Sequence, residues 1–381
     1  MFRMVFQQQA GSSWDVARQL ATSLATEGEP EPNVDPVARM ALEQLARVAE
    51  LQVAKATGLV VAHQGAGITI VPVTRGQWVQ RSTDGFRDLL EALAGALNQG
   101  GVDEPDGDDD SGDPFAKMLA PMMQALRPMM VGVTAGSMLG HLARRSFGQY
   151  DLPIPRPPSD ELLVVVPNLD AFGEEWSLPM DDLRLWVCVH EVAHHTVLSI
   201  PHVRERLTTM LRQYAGGFSP DGEALGSIFE GAELDLSDPS SLEALQERFD
   251  DPEALLGAMV SPAQRALLPQ LEALVAVIVG YVDHIIDIVG DGLIGSHSMV
   301  TEALRRRRVA ADPSDRFVEK MFGLELTQAA YDRGTAFIDG VLERAGEEGL
   351  ARLWTDERSL PTPPEVDAPG LWLARIDLPE A

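Results

Sequence analysis

The chain has 381 residues, of which 45% are hydrophobic and 23% charged. These are the proportions of an ordinary globular protein, long enough to bury a large core without disulfide or metal support. With 58 acidic against 30 basic residues the formal net charge is −28, which argues against a nucleic-acid binder and against electrostatic attachment to an anionic membrane. The single cysteine, Cys188, excludes an intrachain disulfide and a cysteine-based zinc finger.

In chain order, the apolar run in MFRMVFQQQAGSSWDV is too short for a signal-peptide core, so a cytoplasmic location is expected. From Val34 to Thr57, apolar residues at helical spacing (Ala38, Ala41, Leu42, Leu45, Val48, Leu51) predict an amphipathic helix. Ile68 to Val73 reads as a short strand and Phe86 to Leu97 as a helix. The segment from Asn98 to Pro114, NQGGVDEPDGDDDSGDP, is rich in Gly and Asp and reads as a disordered acidic loop. It fits a calcium loop only loosely.

Phe115 to Phe147 is Met-rich and helical, broken at Pro128. Gly132, Gly136 and Gly140 fall on one helix face, where a second helix could approach closely. No clean apolar run of about 18 residues marks a membrane span. Tyr150 to Asp160 is Pro-rich and reads as a linker, followed by a strand at Glu161 to Pro167. A helix is expected from Pro179 to just before Pro201. Further helices are expected over roughly His202–Tyr214, Ser241–Phe249, Pro252–Met259, Gln264–Val289, His297–Arg308, Ser314–Phe322 and Gln328–Ala345, with a Pro-rich tail wrapping the surface. The expected organisation is a helical region over 1–150 with the acidic loop, and a catalytic region over 151–381, or one continuous domain.

The helix from Pro179 contains His190-Glu191-Val192-Ala193-His194. Two histidines four residues apart lie one turn apart on one face, where both imidazoles can reach a single ion. Glu191, rotated by about 100° from His190, is expected beside the open coordination position, as general base toward water acidified by the metal. The flanking sequence LRLWVCVHEVAHHTVL is apolar nearly all round, so the helix should be buried. His195 reads as a satisfied core histidine, and Cys188 as core packing.

A catalytic zinc site has three protein ligands as a rule. The metzincin third histidine is absent: Ile200 stands at its position. The best third ligand is on the second apolar helix, Leu271 to Gly290, which carries Asp283, His284 and Asp287. Charges in so apolar a helix pair with one another, bind metal, or take partners from a run such as Arg305 to Arg308, which otherwise reads as a solvated helix end.

The combination LRLWVCVHEVAHH, VGYVDHIID, ALRRRR and LPTPPEVDAPGLWLARI resembles the zincin-like metallopeptidase family of actinobacteria and Chloroflexi. Members of that family are labelled hydrolases or deazaflavin-coenzyme biosynthesis-associated proteins. The resemblance spans roughly Met118 to Ile376 and implies an α+β, predominantly helical, zincin-like fold with a small sheet beside the active-site helix. Family members carry Glu-Gly before the aromatic of the second helix, an arrangement like the Glu-x-x-x-Asp of thermolysin-like enzymes. Here Val279 takes that glutamate position and Asp283 is kept. Either Asp283 ligates directly, or His284 serves, or the site is incomplete, with His202 and Glu230 next in line.

The sequence therefore points to a zinc-dependent hydrolase, a metallopeptidase in the first instance. His190, His194 and Asp283 would hold Zn²⁺, Glu191 would act as base, and a peptide or small molecule would be the substrate. The strand from Glu161 would align an extended substrate by strand addition. The alternative is a catalytically inactive zincin-like interaction module. Substrate, pathway and oligomeric state are not encoded in any motif.

Overall fold

Capping chemistry sets where the long helices start. Asp35 accepts a hydrogen bond from Val37 N and is followed by Pro36 at the first helical position, opening a helix over Pro36–Thr57. Ser261 and Gln264 close a reciprocal capping box ahead of Pro262, which opens the longest helix, Pro262–Leu293. Thr327 caps the helix over Gln328–Ala351. This computed structural model describes residues 2–63, 65, 67–99, 132–219, 259–310 and 313–378.

In chain order the described elements are α1 (Phe2–Thr26), α2 (Pro36–Thr57), β1 (Thr69–Val73), α3 (Arg75–Gln99), α4 (132–145), β2 (Glu161–Val165), α5 (Val166–Glu175) and α6 (Met180–Leu198). They continue with α7 (Pro201–Ala215), α8 (Pro262–Leu293), α9 (His297–Val309), α10 (Pro313–Met321), α11 (Gln328–Ala351), α12 (Pro363–Asp367) and α13 (Pro369–Ile376). The architecture is predominantly helical with a two-stranded sheet. β1 and β2 pair in parallel, with Thr69 opposite Glu161 and Val73 opposite Val165.

The apolar α6 is the central helix, packed against α2, α5, α7, α8 and α9. α8 crosses α11 at Gly280 and Gly334, where a Cβ on Gly334 would fall 1.9 Å from Ala276 O. Among the described residues α8 is long and apolar enough to cross a membrane, but 78% of its apolar window is buried inside the protein. It is the core helix that its sequence predicted. The glycines of α4 face α1: a Cβ on Gly132 would meet Ser13 O at 2.6 Å, and one on Gly136 would meet Ala17 O at 2.8 Å. The close helix approach read from their spacing is present.

Three expectations change. Residues 2–26, given no element above, form α1, whose Trp14, Ala17, Ala21 and Ala25 are buried. Residues 150–160 are not a linker, because Tyr150, Leu152 and Ile154 are each 3% exposed. The tail does more than wrap the surface: Trp372 is fully buried and its indole donates to Ser359 O at 2.7 Å. Of the acidic loop, Asn98 and Gln99 end α3, and the rest lies outside the described residues. So do residues 115–131, the helix expected at Ser241–Phe249, all but Met259 of the one expected at Pro252–Met259, and Glu230.

Candidate metal centre

Pro179 starts α6, Asp181 and Asp182 sit in its first turn, where acidic groups complement the helix dipole, and Ser199 ends it before Pro201. Asp182 accepts from Ser296 N at 2.8 Å and from Ser296 Oγ at 2.6 Å, tying the start of α9 to α6. The helix is buried on nearly every face, and the half-buried His190 borders the cleft beside it.

The His190 and His194 rings lie 4.3 Å apart between centroids. His194 Nδ1 is 3.1 Å from His190 O. A carbonyl oxygen only accepts, so Nδ1 carries the proton and Nε2 keeps its lone pair. Burial, with the His190 charge second, holds the His194 pKa well below the ordinary histidine value, which favours the neutral, ligating form. His190 Nδ1 faces Glu191 Oε1 at 3.2 Å; toward the ionised carboxylate Nδ1 donates, and a neutral imidazole then keeps its lone pair on Nε2. Trp186 stacks on His190 at 5.1 Å and Tyr150 on His194 at 6.1 Å.

Glu191 is fully buried. Its Oε2 accepts from Gln149 N at 2.7 Å and from Tyr150 N at 3.1 Å. Its carboxylate is thus anchored on the 147–151 strap rather than projecting into an open position, as helix geometry alone suggested. The strap is itself fixed. Asp151 Oδ2 accepts from Phe147 N and Gly148 N at 2.8 and 2.9 Å, and the Trp78 indole donates to Gly148 O at 2.8 Å. A Cβ at Gly148 would sit 2.3 Å from Glu191 Cδ. Burial raises the Glu191 pKa, opposed by the hydrogen bonds from His190 and Gln149.

Among the described residues no group of three His, Cys, Asp or Glu side chains converges to hold an ion. Asp283, the preferred third ligand, accepts a two-pronged pair from Arg308 with both distances 3.2 Å. Arg308 lies 3.9 Å over the Tyr331 ring. Burial would lower its pKa, but Tyr331 and Asp283 outweigh that and raise it. The arginine run is therefore split: Arg305 and Arg306 are exposed, while Arg307 and Arg308 line the cleft beside His190. His284 Nε2 lies 3.9 Å from Glu347, and Asp287 lies 3.5 Å from His297. His202 Nε2 is buried without a hydrogen bond, and Val279 is buried in the core.

His195 is a core histidine. Its Nδ1 lies 3.3 Å from Tyr150 OH and 3.4 Å from Ser199 Oγ, and its Nε2 lies 3.5 Å from Asp160. Cys188 is buried, and desolvation pushes its thiol up to about 12, consistent with packing rather than reactivity. β2 offers little edge for strand addition. One side pairs with β1, and on the other Gly148 bridges Val164 while Val165 N donates to Phe147 O at 2.7 Å.

The two imidazoles thus fit the nitrogen-donor half of a zinc site, with Nε2 as the ligating nitrogen. The described residues do not supply the third donor. Sequence reasoning missed the strap, whose hydrogen bonds run through backbone N–H groups that no residue type announces.

Over residues 13–373 the chain matches the zincin-like metallopeptidase family, and it belongs to that family. Among solved structures it resembles one from Chloroflexus aurantiacus, described as "a putative hydrolase with a novel fold". The TM-score is 0.66 at 23% identity, covering 96% of this chain and 99% of that one. The shared architecture spans nearly the whole chain. No functionally curated protein matches it.

Proposed function

We propose that this chain is a zinc-dependent hydrolase, in the first instance a metallopeptidase, with His190 and His194 holding the ion through Nε2. The observation that carries the reading is the pair of rings 4.3 Å apart on α6, each with Nδ1 engaged and Nε2 left to donate. When bound, zinc supplies Lewis acidity, polarising a carbonyl and lowering the pKa of water.

The chain's own groups divide the remaining work. Glu191 Oε1 orients His190, and it carries one hydrogen bond where Oε2 carries two. Oε1 is therefore the oxygen with basic capacity to spare, and it would take the proton from the attacking water on turning from His190 Nδ1 toward the cleft. Burial strengthens its affinity for that proton. Trp186 and Tyr150 fix the imidazole planes and keep bulk water away. Asp283 acts through Arg308, holding that guanidinium in the cleft beside His190. A peptide or other acyl substrate would present its carbonyl in that cleft.

Protein prepared without chelator is expected to hold close to one zinc per chain, and His190→Ala or His194→Ala to lose it. Glu191→Gln is expected to keep zinc and lower peptidase activity about 100-fold or more. Unchanged zinc in both histidine variants would overturn the assignment. A second reading, an inactive interaction module, draws support from the engagement of Asp283 by Arg308 and from the lack of a third described donor. It predicts zinc binding without turnover on any peptide library.

A further inference from the structure

Next to the strap's continuation, a second cavity of about 350 Å³ opens between α3, α7 and residues 154–158. That volume is in the range of small-molecule sites. Three arginines line it: Arg156 from the strap's continuation, and Arg204 and Arg212 from α7. The lining carboxylates are Asp84 and Asp88. Asp84 is spent on Arg87 at 2.7 Å and Arg18 at 3.1 Å, pairs that lie outside the cavity lining. The remaining walls are apolar, with Leu89, Ile154, Leu211 and prolines.

Arg156 is the unusual member. Its Nε and Nη1 are wholly buried and make no hydrogen bond, and no described carboxylate lies within ion-pair distance of its guanidinium. Its contacts are Nη2 to Gln149 O at 2.9 Å and the Phe86 ring at 3.8 Å. The Glu191 charge acts on it, but the Glu191 oxygens are taken by Gln149, Tyr150 and His190. Burial lowers the Arg156 pKa to about 10, the direction expected of a cation short of counter-charge. In a chain with 58 acidic residues against 30 basic ones, a buried arginine without an acidic partner stands out, because an uncompensated buried charge is costly.

We propose that this cavity binds a small organic anion, a phosphate or carboxylate head on an apolar body. Arg212, and Arg204 with the donors left beside its bond to Ser199 O, would receive the head, the buried Arg156 would supply positive charge behind them, and the Leu and Pro walls would take the body. Arginine forks suit both oxyanions. The lining does not include His190, Glu191 or His194; Arg156 touches the strap that anchors Glu191, so binding is read in His190→Ala as well as in the parent.

The test titrates the full-length chain by calorimetry with phenyl phosphate, benzoate and inorganic phosphate, in parallel with His190→Ala to exclude binding at the metal. One-to-one binding at a Kd of about 1 mM or tighter is expected for phenyl phosphate or benzoate, retained in His190→Ala. Whichever of the two binds tighter identifies the head. Inorganic phosphate should bind more weakly than either. Arg212→Ala, on an exposed side chain, should weaken binding about 10-fold, and Thr208→Trp, which fills the cavity, should abolish it. Arg156→Met should melt no lower than the parent without ligand and lose any ligand-induced rise in melting temperature. Absence of binding by both organic probes overturns the proposal. So does binding that survives Thr208→Trp, binding lost in a folded His190→Ala chain, or equal binding of inorganic phosphate.

Discussion

A methyl group at position 148 would need the space that the Glu191 carboxylate fills, since the added Cβ lies 2.3 Å from Cδ. Either the strap retreats, losing the Gln149 and Tyr150 N–H groups as donors, or Glu191 swings out. Gly148→Ala is therefore expected to destabilise the fold by about 1–3 kcal/mol, the usual cost of overpacking, and to displace Glu191. Denaturant titration and a structure of the variant measure both, and an unmoved Glu191 at unchanged stability would refute the steric account. His195 gives a pH prediction. Burial, opposed by Asp160, lowers its pKa to about 4 from the ordinary 6.5. The unfolded chain therefore takes up this proton at higher pH than the folded one. The stability concerned is present above pH 6.5 and is lost as pH falls toward 4, by about 3 kcal/mol. His195→Gln should flatten that slope in urea titrations between pH 7 and 4, and an unchanged slope would remove His195 as a cause. At this scale the sequence exposed His190, Glu191 and His194, because four-residue spacing on an apolar helix is a local pattern. It could not expose Gly148 or the strap, 40 residues earlier in the chain and bound to Glu191 only through tertiary contact.

Helix-to-helix contacts divide in the same way. The apolar runs of α6 and α8 announce buried helices, and Pro179, Pro201 and Ser261 mark their ends. α1 escaped notice because its buried stripe is mostly alanine (Ala17, Ala21, Ala25), too weakly apolar to stand out from a polar background. The Asp283–Arg308 pair shows the limit for charges. Its members were legible as candidates for each other, but the choice between ligand and ion pair depends on how α8 and α9 dock. The α8–α11 crossing supports a paired test. Gly334→Ala would drive a Cβ to 1.9 Å from Ala276 O, whereas Gly95, in α3, has nothing within 4 Å of an added Cβ. The first variant is expected to lose about 2 kcal/mol or more, and Gly95→Ala to gain about 0.5–1 kcal/mol from reduced unfolded-state entropy. Thermal melts decide between these signs, and equal effects would mean that the crossing tolerates separation.

Across the whole molecule, the buried apolar residues form a core reaching from Trp14 in α1 to Trp372 in α13. The mostly helical class and the small sheet were legible from periodicity and from the family resemblance, but the parallel pairing of β1 with β2 was not. That pairing has a kinetic consequence. Thr69 and Glu161 are partners across about 90 intervening positions, a loop whose closure costs entropy before any contact repays it. The strap is held on β2 by the Phe147–Val165 hydrogen bond and on the other side by Trp78, just past β1, whose indole donates to Gly148 O, so the Glu191 anchor is fully fixed only once this distant closure is made. Helices should therefore appear early in refolding and the sheet, with the strap, last. Val164→Ala is expected to speed unfolding while leaving the refolding rate nearly unchanged, with a φ-value near zero. Stopped-flow chevrons measure it, and a refolding limb slowed in proportion to the lost stability would place the strand pair in the nucleus instead. With late closure, a refolding chain would carry its HExxH helix, folded and histidine-bearing, for some time before the carboxylate between those histidines is held in place.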